Sequence, residues 1–163
     1  MGMTTSRTHE THVFVPTYQD PLTKGLPADH ARQVTRQILA GPHLSVLATT
    51  NADGSVQMSV IFVQPDGDDI LFSTIEGRRK TSNLVRDPRA TVLLHSLPVG
   101  ARSAYATIRG TVELTDDRDG TFHQKMYSVN MGGTTPPPEP GAHRLIGRIR
   151  PQHVYAPFPY SAG

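Results

Sequence analysis

The densest concentration of chemically useful side chains is the segment Ser73-Thr74-Ile75-Glu76-Gly77-Arg78-Arg79-Lys80-Thr81-Ser82-Asn83-Leu84. A short helix over residues 80–87, closed by Pro88, puts three cations at its start and Asp87 at its end. The macrodipole is already positive at a helix start, and the first amide donors there have no helical partner. That charge order works against the helix unless an anion docks on it. Two guanidinium forks, an ammonium, hydroxyls and helix amides together form a phosphate cradle. The plainer alternative is a solvated cluster neutralised by Glu76 and Asp87. Position favours the cradle, because the cluster follows a strand and adjoins Gly77, and loops held by rigid strands are where ligands are gripped.

Other chemistries are excluded by what the chain lacks. Zero cysteines rule out a disulfide framework, a thiolate nucleophile and cysteine-ligated metal, and they suit a reducing cytoplasm. There is no G-x-S-x-G, no H-E-x-x-H, and no G-x-G-x-x-G or phosphate-binding loop after a strand. The pair in His9-Glu10-Thr11-His12 falls in a polar stretch without a third ligand, so no metal site is expected. His95 and His153 read as sheet residues. A net charge of +2, from 16 basic against 14 acidic residues, does not point to nucleic acid. No apolar run approaches the ~20 residues of a membrane helix, and no signal-peptide core is present, so a soluble protein is expected.

The elements that must position the cluster can be read from pattern. The chain has 163 residues, 36% of them hydrophobic, with 14 Gly and 14 Pro, which suits one turn-rich domain. Residues 1–26 are polar and Thr-rich and read as an N-terminal arm; residues 27–163 form the domain. Over residues 27–40 the apolar positions Ala31, Val34, Ile38 and Leu39 share a helical face, ended by Gly41-Pro42. Residues 43–50 read as a strand, Asn51-Ala52-Asp53-Gly54 as a turn, and residues 55–64 as the return strand. A second turn at Pro65-Asp66-Gly67-Asp68 leads to a third strand over 69–74, giving a three-stranded meander. Strands follow at 90–95 and 104–114, the latter with a possible bulge at Gly110. A helix over 121–130, a Gly/Pro loop over 131–141 and a strand over 143–155 complete the pattern. Antiparallel strands joined by tight turns argue for a β-barrel decorated by helices.

These residues resemble an ordered set found in the split β-barrel flavin-binding proteins related to pyridoxamine 5'-phosphate oxidase, and more narrowly in the actinobacterial branch that uses the deazaflavin coenzyme F420. The resemblance rests on Ser45-Val46-Leu47-Ala48-Thr49 with Asp53-Gly54, then Gln57-Met58-Ser59, then Arg78 through Leu84 with Asp87-Pro88-Arg89-Ala90. It continues through Tyr105-Ala106 and Gly110-Thr111 to His153-Val154-Tyr155, and it covers about residues 28–156. It departs at Ser103, where the branch often has an aromatic residue, and at the loop over 131–141 with Pro136-Pro137-Pro138.

The resemblance implies a mainly β (α+β) fold: an antiparallel split β-barrel with a few peripheral helices, the FMN-binding fold of that oxidase. It also implies a homodimer with cofactors in the clefts between subunits. Arg78 and Lys80 would hold the cofactor phosphate, with Arg79, Ser73 and Asn83 nearby. Gln57 and Ser59 would line the ring, and Tyr105 would approach from the partner subunit. The plain reading makes Tyr105 a half-buried sheet aromatic. It makes Gln57 and Ser59 the polar side of their strand, with Met58, Val60 and Phe62 forming core. The expected function is an F420-dependent oxidoreductase passing hydride between reduced deazaflavin and a small organic acceptor. The alternatives are an FMN-dependent oxidoreductase of the same fold and a non-catalytic carrier of either cofactor. Since the cofactor moves the hydride, no catalytic dyad is required of the protein.

Overall fold

The computed structural model describes residues 28–97 and 104–157. The expected arm over 1–26, the His9/His12 pair and Ser103 lie outside the described residues. Among those described, three helices accompany seven antiparallel strands in the order β2-β1-β5-β6-β7-β4-β3.

Helix α1 (His30–Ala40) buries Val34 and Ile38, and Ala31 and Leu39 lean on the same core, as the periodicity predicts. It packs across the later strands β5, β6 and β7. Strand β1 (His43–Thr50) pairs with β2 (Val56–Ile61) through the Asn51–Ser55 turn, where Gly54 supplies a positive φ of 84°.

The expected third strand of a simple meander is corrected here. The run after Ser55 breaks at Phe62 into β2 and β3 (Val63–Asp66), and these lie at opposite edges of the sheet. β3 turns away from β1 to pair with β4 (Asp69–Ile75). One bent segment therefore joins both edges, and the sheet curls into the expected split barrel. A bend of this kind satisfies edge hydrogen bonds on two sides at once, and no local signal at Phe62 announces it.

Helix α2 (Arg79–Arg86), β5 (Arg89–Ser96) and β6 (Tyr105–Asp116) follow. The β6 register shifts between Arg109 and Gly110 against β7 (Arg144–Tyr155), so the bulge is real. A Cβ at Gly110 would stand 2.1 Å from the Arg150 carbonyl oxygen, which explains the glycine. Helix α3 (Thr121–Asn130) packs against β4. The barrel interior is filled by Leu47, Phe72, Val92, Leu94, Ile108 and Ile149. No helix among the described residues is long and apolar enough to cross a membrane.

Candidate functional site

Strand β4 ends at Ile75, and Gly77, at φ 81°, turns the chain into α2. Arg78 is the extended residue before the helix, and no side chain caps the amides that follow. The first helical bond is Ser82 N–H to the Arg78 carbonyl at 2.9 Å, so the N–H groups of the first turn have no intrahelical partner. The Thr81 hydroxyl pins this turn to β4 by donating to the Ile75 carbonyl at 2.8 Å. Having used its one proton there, it accepts from Thr74 at 2.9 Å. The turn is therefore fixed before any ligand arrives.

The two carboxylates that could neutralise the cations face elsewhere. Glu76 bonds His143 at 3.0 Å, and Asp87 bonds Arg89 at 2.7 Å. Among the described residues Arg78, Arg79 and Lys80 form no ion pair. Lys80 is half-buried, and burial, then Arg78 and Arg144, push its ammonium pKa down. Arg79 belongs to a different neighbourhood. It contributes to holding down the Asp53 carboxyl in the β1–β2 turn, after the Ser55 hydrogen bonds that dominate there.

Two residues that sequence reasoning missed adjoin Ser73, and one of them, Arg144, also acts on Lys80. Arg144 donates through Nη1 to the Ser73 hydroxyl at 3.3 Å, and the same hydroxyl lies 3.4 Å from Nδ1 of His123. Burial, followed by Arg144, keeps the His123 pKa below the usual histidine value. Neither residue carries a local signal, since one is the first residue of a strand and the other lies inside a helix of modest amphipathicity.

On the other flank of α2 runs a hydrogen-bonded chain. Asn83, 4% exposed, donates one amide proton to the Thr49 hydroxyl and the other to Asn51 Oδ1, each at 3.0 Å. Thr49 passes its proton to Gln57 Oε1 at 3.0 Å, and Gln57 Nε2 donates to the Ser59 hydroxyl at 2.7 Å and the Met58 carbonyl at 3.1 Å. Asn83 is thus a tie between α2 and β1, with Arg86 closing its Oδ1 at 3.2 Å. Thr49, also missed, is the central link. The amide of Gln57 is fully engaged, while the Ser59 hydroxyl proton remains available to a ligand.

Strand β2 turns Gln57 and Ser59 to its half-buried side. The expectation that Met58, Val60 and Phe62 form core is overturned: they are 63%, 66% and 40% exposed. Met58 and Val60 stand on the outer face of edge strand β2, and Phe62 lies just past its end. Tyr105 lies on that same outer face, at the start of β6, tilted against Tyr155 with ring centroids 6.5 Å apart. Met58 pairs with Ala48, Ala48 with Thr91 and Thr91 with Arg109. Tyr105 is therefore three strands across and about 13 Å further along β6. Within one chain the structure brings together Ser73, Arg78 and Lys80, and separately Gln57, Ser59 and Asn83. It joins neither Arg79 nor Tyr105 to the first group. Among the described residues no cluster of three or more His, Asp or Glu side chains could hold a metal ion.

Comparison with known proteins gives the family of the chain. Residues 31–156 match the family model described as pyridoxamine 5'-phosphate oxidase. The fold is similar to that of a structure named F420 reductase, at 27% identity over 74% of this chain and 94% of that one, with a TM-score of 0.66. It is also similar to general stress protein 26 from Bacillus anthracis, at 18% identity over 80% of this chain and 96% of that one, with a TM-score of 0.61. A protein described as a putative pyridoxamine 5'-phosphate oxidase from Listeria innocua shares 17% identity over 77% of this chain and 96% of that one, with a TM-score of 0.57.

Proposed function

Because the chain belongs to the pyridoxamine 5'-phosphate oxidase family of flavin-binding oxidoreductases, we propose that Arg78, Lys80 and the first-turn amides of α2 hold the phosphate of a flavin-type cofactor. The observation that carries this reading is the pair of cations left, among the described residues, without carboxylate partners while Glu76 and Asp87 are engaged elsewhere. A protein does not gain by crowding like charges at a positive helix end. A docked phosphate would offset that repulsion and supply acceptors for the uncapped amides. The donor set therefore fits the group.

We read the cofactor as coenzyme F420 and the protein as a reductase of a small organic acceptor. The likeness to the F420 reductase supports this choice. Bound there, the cofactor would supply the hydride. The protein's share is to hold the phosphate on Arg78 and Lys80, to present the Ser59 hydroxyl, positioned by the Thr49–Gln57 chain, to a polar ring edge, and to exclude water. FMN is the second reading, favoured by the family match itself, since one phosphate cradle serves either cofactor. The reading places the protein in the cytoplasm as a homodimer whose partner brings its Tyr105 toward the cleft.

Titration of purified protein with F420 and with FMN, followed by fluorescence quenching, tests the choice; binding of FMN alone moves the assignment to the second reading. R78A and K80A each remove a charge-assisted contact, and each should weaken the preferred cofactor about tenfold to a hundredfold. R79A should change affinity less than either. Unchanged affinity in R78A and K80A would remove the site assignment.

A further inference from the structure

The cationic ledge has an inner end that a single phosphate does not use. Arg144 opens β7 with its side chain 11% exposed. It donates Nε to Glu139 Oε2 at 2.8 Å and points Nη2 at the same oxygen, while Nη1 reaches Ser73. Both nitrogens of the guanidinium edge thus converge on one carboxylate oxygen. The two-oxygen fork that such an edge is shaped to bind is left unmade. Glu139 comes from the proline-rich loop between α3 and β7 and its side chain is 34% exposed.

The charge count around this point is unbalanced. Arg78 and Arg144 both lie within electrostatic reach of Lys80 and lower its pKa, and among the described residues Glu139 is the one carboxylate paired with any of the three. The next acid, Asp117, is engaged by the N–H groups of Phe122 at 3.1 Å and His123 at 2.9 Å. Burial and the Arg144 charge disfavour the charged form of His123, whose ring lies 3.4 Å from the Ser73 hydroxyl.

We propose that Arg144, with Ser73 and His123, is a second anion position of the ligand site, and that Glu139 occupies it until a second acidic group of the bound ligand displaces the carboxylate. This rests on the cofactor reading above, deepening it from one anionic contact to two. A ligand with two adjacent acidic groups engages both positions, whereas a ligand with one engages only Arg78 and Lys80.

Inorganic phosphate and pyrophosphate serve as probes, each titrated calorimetrically into wild-type, E139Q, R144Q and doubly substituted protein, with folding checked by thermal melting. Pyrophosphate should bind wild type more tightly than phosphate. E139Q should strengthen pyrophosphate binding about threefold, the scale of a partly exposed ion pair, and phosphate binding by less. R144Q should abolish the advantage of pyrophosphate, and adding E139Q to R144Q should change nothing further. If R144Q does not fold, R144K keeps the charge without the fork and should reduce the advantage. If E139Q weakens pyrophosphate binding or leaves it unchanged, Glu139 only positions Arg144 and the inference fails. Phosphate binding that survives R78A/K80A would instead sink the cofactor reading itself.

Discussion

Lys80 is the residue whose chemistry is most sensitive to its surroundings. Burial and two neighbouring guanidinium groups hold its pKa below the ordinary lysine value of 10.5, because each disfavours the charged form. An anion bound on Lys80 should therefore weaken as pH rises through a pKa lower than that of a free lysine. K80R keeps its charge throughout that range and should flatten the alkaline limb of a cofactor-affinity profile. An unchanged limb would show that Lys80 does not touch the anion. His143 works in the opposite sense. Its Nδ1 faces Glu76 at 3.0 Å and its Nε2 faces Asp116 at 3.1 Å, and only the imidazolium donates from both nitrogens. The Glu76 bond, ahead of the charge of Asp116, raises its pKa above 6.5. The stability it contributes is fully present below about 6.5 and is lost as pH rises through the raised value. Denaturation midpoints measured from pH 5 to 9 should fall across that window in wild type and not in H143Q.

At the scale of elements, α2 is held to the sheet by polar ties as well as by Leu84, and Asn83 makes two of them, to Thr49 and Asn51. N83A leaves the buried Thr49 hydroxyl and Asn51 amide without a donor. It should cost about 1–3 kcal/mol in chemical denaturation, with a secondary loss of cofactor affinity as the α2 start loosens. A change below a few tenths would show the chain to be ornamental. The same elements show which features a sequence discloses. Strand β1, helix α1 and the Gly110 bulge were legible because each is written locally, in alternation, in a four-residue period or in a glycine flanked by strand residues. The cluster at Arg78 and Lys80 was legible as an inverted helix polarity. The break at Phe62 was not, because it answers to the pairing of β3 with β4, a tertiary demand. Arg144 and Glu139 escaped notice for the same reason: an arginine at a strand start and a glutamate among prolines acquire meaning only when the fold sets them beside Ser73 and Lys80. The outward side of β2 was misread in sign, since Met58 and Val60 alternate as core residues do.

That misreading bears on the whole molecule. Val56, Met58 and Val60 stand in a row on the edge strand, 66%, 63% and 66% exposed. Across the pairing they adjoin Thr50, Ala48 and Val46 of β1, and beyond Val46 lies Leu93 of β5. A contiguous apolar sheet face of this kind marks an interaction surface, and an apolar edge strand left bare invites aggregation. A net charge of only +2 offers little electrostatic protection against self-association. The proposed dimer would cover this face, which Tyr105 and Arg109 share, so pairing of two copies would carry aromatic and basic groups toward the partner's cleft. Sedimentation equilibrium should give twice the 17.8 kDa chain mass. M58D/V60D, which sets carboxylates on the covered face without touching the barrel interior, should give the single-chain mass with an unchanged circular-dichroism spectrum. The ledge at Arg78 and Lys80 stays intact in that monomer. If the ring is completed by the partner's Tyr105, cofactor affinity should fall as dimerisation is lost while inorganic phosphate still binds. Full cofactor affinity in a proven monomer would place the whole site within one chain, and a persisting dimer would move the interface to another face.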